Sequence, residues 1–133
     1  MKHYRYLALG DSYTIGEAVP YPDNFPSQLV AAISENGPYS CEKLQIIATT
    51  GWTTDELLKG IEETGPEGPF DLVSLLIGVN NQYRGYPREQ YIREFQILLQ
   101  KAIGFSGGSP HKVIVITIPD YGCTPFGAEK AVE

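Results

Sequence analysis

Ser12, Gly51 and Asn80 are the residues of this chain whose types suit acyl-transfer chemistry. A serine hydroxyl attacks a carbonyl carbon once a base takes its proton. The oxyanion that forms needs hydrogen-bond donors already aimed at it. The backbone N–H groups of Ser12 and Gly51 and the side-chain amide of Asn80 are suitable donors. A glycine lets the backbone come close to a substrate, and Asn or Gln alone offers a neutral side-chain NH₂. Each of the three follows an apolar run, in LALGDSYTIG (7–16), TTGWTT (49–54) and IGVNN (77–81).

The elements that must position them are legible as apolar runs and helical stripes. Tyr4–Leu9, Leu44–Ala48, Leu72–Ile77 and Val113–Ile118 are short, and the last two are nearly continuous and apolar. Such runs suit strands of a parallel sheet covered on both faces. Between them lie three helical patterns. PSQLVAAISENG carries Leu29, Val30 and Ile33 and stops at Asn36-Gly37. TTDELLKGIEE opens on a capping box, Thr53 with Glu56, and places Leu57, Leu58 and Ile61 on one face. PREQYIREFQILLQKAIG starts with Pro87 and aligns Ile92, Phe95, Leu99 and Ala102. The order β-α-β-α-β-α-β predicts an α/β fold, a doubly wound parallel sheet in a flavodoxin-like three-layer α/β/α arrangement. Ligands of such sheets bind at the carboxyl ends of the strands. The fourth such end here is Pro119-Asp120-Tyr121-Gly122.

The motifs GDSYTIG (10–16), TGWTT (50–54) and IGVNN (77–81), in order and each at a strand end, resemble the SGNH (GDSL-type) hydrolases, the lipase and esterase family. The resemblance covers nearly the whole chain. It implies that Ser12 is the nucleophile and that its own N–H, the Gly51 N–H and the Asn80 side chain form the oxyanion hole. It implies ester hydrolysis of a small-molecule substrate, with no metal or organic cofactor. One departure is visible, since many members carry Asp after the third-block Asn, where this chain has Asn81. The substrate class stays open among lysophospholipids, acyl thioesters, acetylated sugars and aryl esters.

A serine hydrolase of this kind needs a base, normally His held by Asp or Glu. The chain has two histidines, His3 and His111, and each precedes a strand. Both are therefore expected at the amino edge of the sheet, roughly 20 Å from Ser12 for a six-residue strand at about 3.3 Å per residue. The family's late D-x-x-H block is absent, so no catalytic Asp or His is assigned. The expectation is that residues 1–133 form a single domain, the amino-terminal two-thirds of such a hydrolase, truncated after strand four. It would be inactive or weak alone, with an exposed strand-four edge able to self-associate.

Other readings compete at each position. Ser12 could cap a helix, Asn80 could be a turn residue, and Gly51 could be an ordinary strand-end glycine. Trp52 and Arg84 are candidates for substrate binding, Trp52 (with Tyr83 and Tyr86) lining a cleft and Arg84 meeting an anionic group. Packing aromatics and a solvated arginine are the alternatives. A different class, a flavodoxin-like module that binds a small ligand without catalysis, is disfavoured by the lack of GxGxxG and GxxxxGK[ST]. A third reading is a non-catalytic remnant that dimerises. The net charge of −6 argues against nucleic acid as a partner. Cys41 and Cys123 form no CxxC pair, and Cys123 is the weaker candidate for a reactive thiol beside Ser12. No apolar stretch reaches membrane-spanning length, and MKHYRYLALG leads straight into the first strand, so a cytoplasmic location is expected.

Overall fold

The computed structural model describes residues 2–16 and 23–116. Among these residues four parallel strands, β1 (Lys2–Gly10), β2 (Tyr39–Ala48), β3 (Leu72–Leu76) and β4 (Val113–Val115), form one sheet in the order β2-β1-β3-β4. Five α-helices accompany them among the described residues: α1 (Ser12–Ile15), α2 (Phe25–Glu35), α3 (Thr54–Thr64), α4 (Val79–Tyr83) and α5 (Arg88–Phe105). A 3₁₀ turn, Pro110–Lys112, leads into β4. The predicted doubly wound α/β order is present. Strand Leu44–Ala48 extends further toward its amino end, to Tyr39. The last residues of the run Val113–Ile118, the loop at 119–122 and Cys123 lie outside the described residues.

Helices cover both faces of the sheet, which is what its apolar strands require. On one face Leu7, Leu9, Ile47, Val73 and Leu75 meet Leu57 and Ile61 of α3 and Leu98 and Ala102 of α5. On the other, Tyr4, Tyr6 and Ala8 meet Leu29, Val30 and Ile33 of α2. The buried stripe of α5 differs from the expected one. Ile92 is exposed, and the fully buried positions are Leu98 and Ala102, with Phe95 and Leu99 at the flanks. Counting back by three and four from Ala102 reaches Leu98, Phe95 and Tyr91, one position round from Ile92. Tyr91 is half-buried, its ring 5.6 Å from that of Phe95 between centroids. Its hydroxyl reaches the Ile77 carbonyl at 3.4 Å.

The strand order places a switch point between β1 and β3. The crossover through α2 takes the chain from β1 to one side, and the crossover through α3 brings it back across β1 to β3. The carboxyl ends are level there, since Gly10 pairs with Ala48 on one side and with Leu76 on the other. This edge is where a doubly wound sheet binds its ligand. His3 pairs with Ser40 at the opposite edge, and His111 lies in the turn before β4.

Candidate active site

The exit of β1 is built around Gly10. A Cβ there would collide with the Thr14 side chain and come within 2.8 Å of the Leu76 carbonyl. Glycine therefore lets α1 fold back against the end of its own strand while β3 stays close. Asp11 caps α1, its Oδ1 accepting the Tyr13 N–H at 3.0 Å. The capping role considered for Ser12 thus belongs to Asp11, and Ser12 is the first helical residue, half-buried. Burial raises the Asp11 carboxyl to about 6, against the opposing pull of the Tyr13 N–H.

The loops after β2 and β3 flank that exit and meet across it. Gly51 has φ of +84°, a conformation glycine adopts without strain. The Asn80 Nδ2 donates to the Trp52 carbonyl at 3.0 Å. Arg84, four residues further along α4 and its C-cap, donates from Nη2 to the Gly51 carbonyl at 2.6 Å. Because β1 lies between β2 and β3, these bonds run from one neighbour of β1 to the other. The loops bearing Gly51 and Asn80 are thereby held together at the switch point, beside the exit that carries Ser12.

Trp52 and Arg84 are both engaged within the protein. The Trp52 indole packs over Gly60 of α3, where a Cβ would collide with the ring, and joins the core cluster. The Arg84 guanidinium also pairs with Glu56, Nη1 to Oε1 at 3.1 Å. Glu56 Oε1 accepts the Thr53 N–H at 3.0 Å, so the carboxylate expected to cap α3 does so and pairs with arginine as well. Tyr83 is exposed. Tyr86 lines a cleft of about 390 Å³ with Gly78, Asn81, Gln82, Arg88 and Tyr91, on the α4–α5 side of the site.

Asn81, the departure from the family pattern, is buried and fully used. Its Oδ1 accepts the Thr54 N–H at 3.0 Å, and its Nδ2 donates to Thr54 Oγ1 at 2.8 Å. Thr54 Oγ1 in turn donates to Glu94 Oε1 of α5 at 2.7 Å. Gln90 Nε2 approaches the same oxygen at 3.3 Å. This chain locks the first turn of α3 to α4 and α5 directly behind Asn80. Thr54 and Glu94 were not singled out from the sequence, because neither belongs to a local motif and their partners lie 27 and 40 residues away. Asn81 was visible only as a departure.

The nearest candidates for a base do not approach this edge. His3 lies inside β1, which begins at Lys2 rather than after His3, and His111 lies in the turn before β4, so both sit at the amino edge of the sheet. Among the described residues no helix is long and apolar enough to cross a membrane.

Comparison with known proteins defines the class. The model of the GDSL-like Lipase/Acylhydrolase family matches residues 8–133, and the chain belongs to that family. Among solved structures it is similar to TesA, with a TM-score of 0.74 and 21% identity over 96% of this chain and 68% of that one. It is similar to AlinE4, an SGNH-hydrolase family esterase, with a TM-score of 0.70 and 17% identity over 98% of this chain and 68% of the other. The lipase/acylhydrolase from Enterococcus faecalis aligns with a TM-score of 0.61 and 25% identity, over 99% of this chain and 68% of its own. A search of curated proteins returns no match. The fold of the SGNH hydrolases is thus present over nearly all of this chain, which spans about two-thirds of those three chains.

Proposed function

We propose that these residues form the nucleophile and oxyanion half of a carboxylic ester hydrolase site. Ser12 Oγ attacks the acyl carbon, and the N–H groups of Ser12 and Gly51 with the Asn80 amide receive the carbonyl oxygen as it becomes an oxyanion. The observation that carries this reading is the bond from Asn80 to Trp52 across the end of β1. It joins two of the three motif loops on either side of the third. The Asn80 amide has a second N–H to offer a substrate oxygen.

The serine proton needs an acceptor, and neither histidine of the 133 residues reaches it. The reading is therefore that this chain alone turns over esters very weakly or not at all. The test is hydrolysis of a p-nitrophenyl ester by the chain and by Ser12→Ala, with and without imidazole as an external base. The expected result is little turnover alone and an imidazole-dependent rate that Ser12→Ala lacks. Efficient hydrolysis without imidazole, abolished by Ser12→Ala, would overturn the missing base. An imidazole-dependent rate identical in both proteins would overturn Ser12 as the nucleophile. The edge of β4 supports a self-associating chain as a companion reading, since Ile114 and Val115 are both exposed among the described residues. A clean monomer in sedimentation at high concentration counts against it.

A further inference from the structure

The Gly51 loop depends on side chains from elsewhere for its shape. Glycine has the widest backbone freedom of any residue, so its positive φ does not hold itself. The peptide that follows Gly51 is gripped at both ends. Its N–H, that of Trp52, donates to the Thr49 carbonyl at 3.2 Å. Its carbonyl, that of Gly51, accepts from Arg84 at 2.6 Å. The next carbonyl, that of Trp52, accepts from Asn80. Two side chains one helical turn apart, one on α4 and one at its C-cap, thus hold two consecutive carbonyls of the loop. Asn80 and Arg84 are themselves linked, the Arg84 N–H donating to the Asn80 carbonyl at 3.0 Å.

We propose that Arg84 is a positioning residue that fixes the aim of the Gly51 N–H by holding the peptide after it. This rests on reading Gly51 as an oxyanion donor. Arginine suits the task because its planar fork presents separate donors in fixed directions. One arm reaches the Gly51 carbonyl and the other reaches Glu56. Glu56 is anchored by the Thr53 N–H at the start of α3. The guanidinium is therefore braced against a helix terminus while it holds the loop. A Cβ at Gly51 would lie 3.5 Å from Arg84 Nη2, in ordinary contact, so the guanidinium sits directly against the backbone it holds. Lysine carries the charge and three N–H donors, but on a single nitrogen at the end of a flexible stem, so it holds the loop less rigidly than the planar fork does.

The test uses the ¹⁵N-labelled chain with Arg84→Met and Arg84→Lys. Amide hydrogen exchange is read at Trp52, and at Leu9 and Leu75 as core controls. Affinity for benzeneboronic acid is read from the Gly51 cross-peak. Boron bonds to the Ser12 oxygen, the hydroxyl proton leaves to buffer, and the tetrahedral anion occupies the oxyanion position. Arg84→Met is expected to speed Trp52 exchange at least tenfold and weaken the boronate about tenfold, with Leu9 and Leu75 unchanged. Arg84→Lys is expected to fall between the two proteins. Unchanged Trp52 exchange in Arg84→Met overturns the proposal, and so does equal acceleration at Leu9 and Leu75, which marks general destabilisation. Boronate binding that survives Ser12→Ala, or fails to move Gly51 in the parent chain, refutes the oxyanion reading instead. The exchange measurement then still decides whether Arg84 holds the loop.

Discussion

Asn81→Asp is expected to destabilise this chain. In the parent, Asn81 Nδ2 donates to Thr54 Oγ1, and that hydroxyl gives its one proton to Glu94. Aspartate has no proton to give at neutral pH. Two carboxylates would then compete for the single Thr54 proton across two hydrogen-bond lengths, about 5–6 Å apart. Two unit charges at that distance repel by about 3 kcal/mol at an effective dielectric of 20, less because Glu94 is only partly buried. Losing a neutral hydrogen bond adds about 1 kcal/mol. A net loss of about 2–3 kcal/mol at pH 7 is expected from urea unfolding followed by circular dichroism. Glu94→Gln removes one of the charges, so about 1–2 kcal/mol of coupling is expected in the double-mutant cycle. The repulsion and burial raise the folded-state pKa of the introduced aspartate. Its penalty is therefore present at high pH and lost as pH falls through that raised value. The reasoning is refuted if Asn81→Asp lies within about 0.5 kcal/mol of the parent, or if its deficit is unchanged in the background of Glu94→Gln.

Two further outcomes follow from the same loops. Asp11 has a folded pKa of about 6 against an ordinary 3.8, so stability from this group is fully present below about 3.8 and lost as pH rises through 6. The loss is on the order of 2–3 kcal/mol, and Asp11→Asn, which keeps an oxygen for the Tyr13 N–H, should flatten it in urea midpoints between about pH 4 and 7. Gly60→Ala should displace the Trp52 ring at a cost of about 1–3 kcal/mol, seen as a lowered urea midpoint, and an unchanged midpoint would refute the packing.

What the sequence made legible was local. The apolar runs before Gly10, before Thr49, after Phe70 and after Lys112 placed the four described strands, and alternation with helical stripes gave the parallel order. The GDS, TGW and GVN blocks located the site's edge because each is a strand exit, readable over a few residues. The α5 stripe differs from the expected one at its first position, where Ile92 is exposed, since Ile92 and Tyr91 are equally good apolar candidates and the choice depends on how α5 meets β3. The short helices α1 and α4 have too few residues for a periodic signal. The ties from Arg84 to Gly51 and from Asn81 to Thr54 were illegible for another reason. They join residues 33 and 27 apart, and nothing in either segment announces which loop will lie beside it. The competing readings of Arg84, solvated or facing an anion, both assumed a side chain with no partner inside the fold.

Trp52 is the one tryptophan of the chain, and it sits in the Gly51 loop with its indole over Gly60 and its carbonyl held by Asn80. Intrinsic fluorescence of this protein is thus an optical readout of a single loop rather than of the whole domain. If that loop loosens before the sheet melts, emission will change at lower denaturant than ellipticity, and the gap between the curves will measure the loop's own opening equilibrium. Ligands that settle at the switch point would be detectable by the same signal with no label attached.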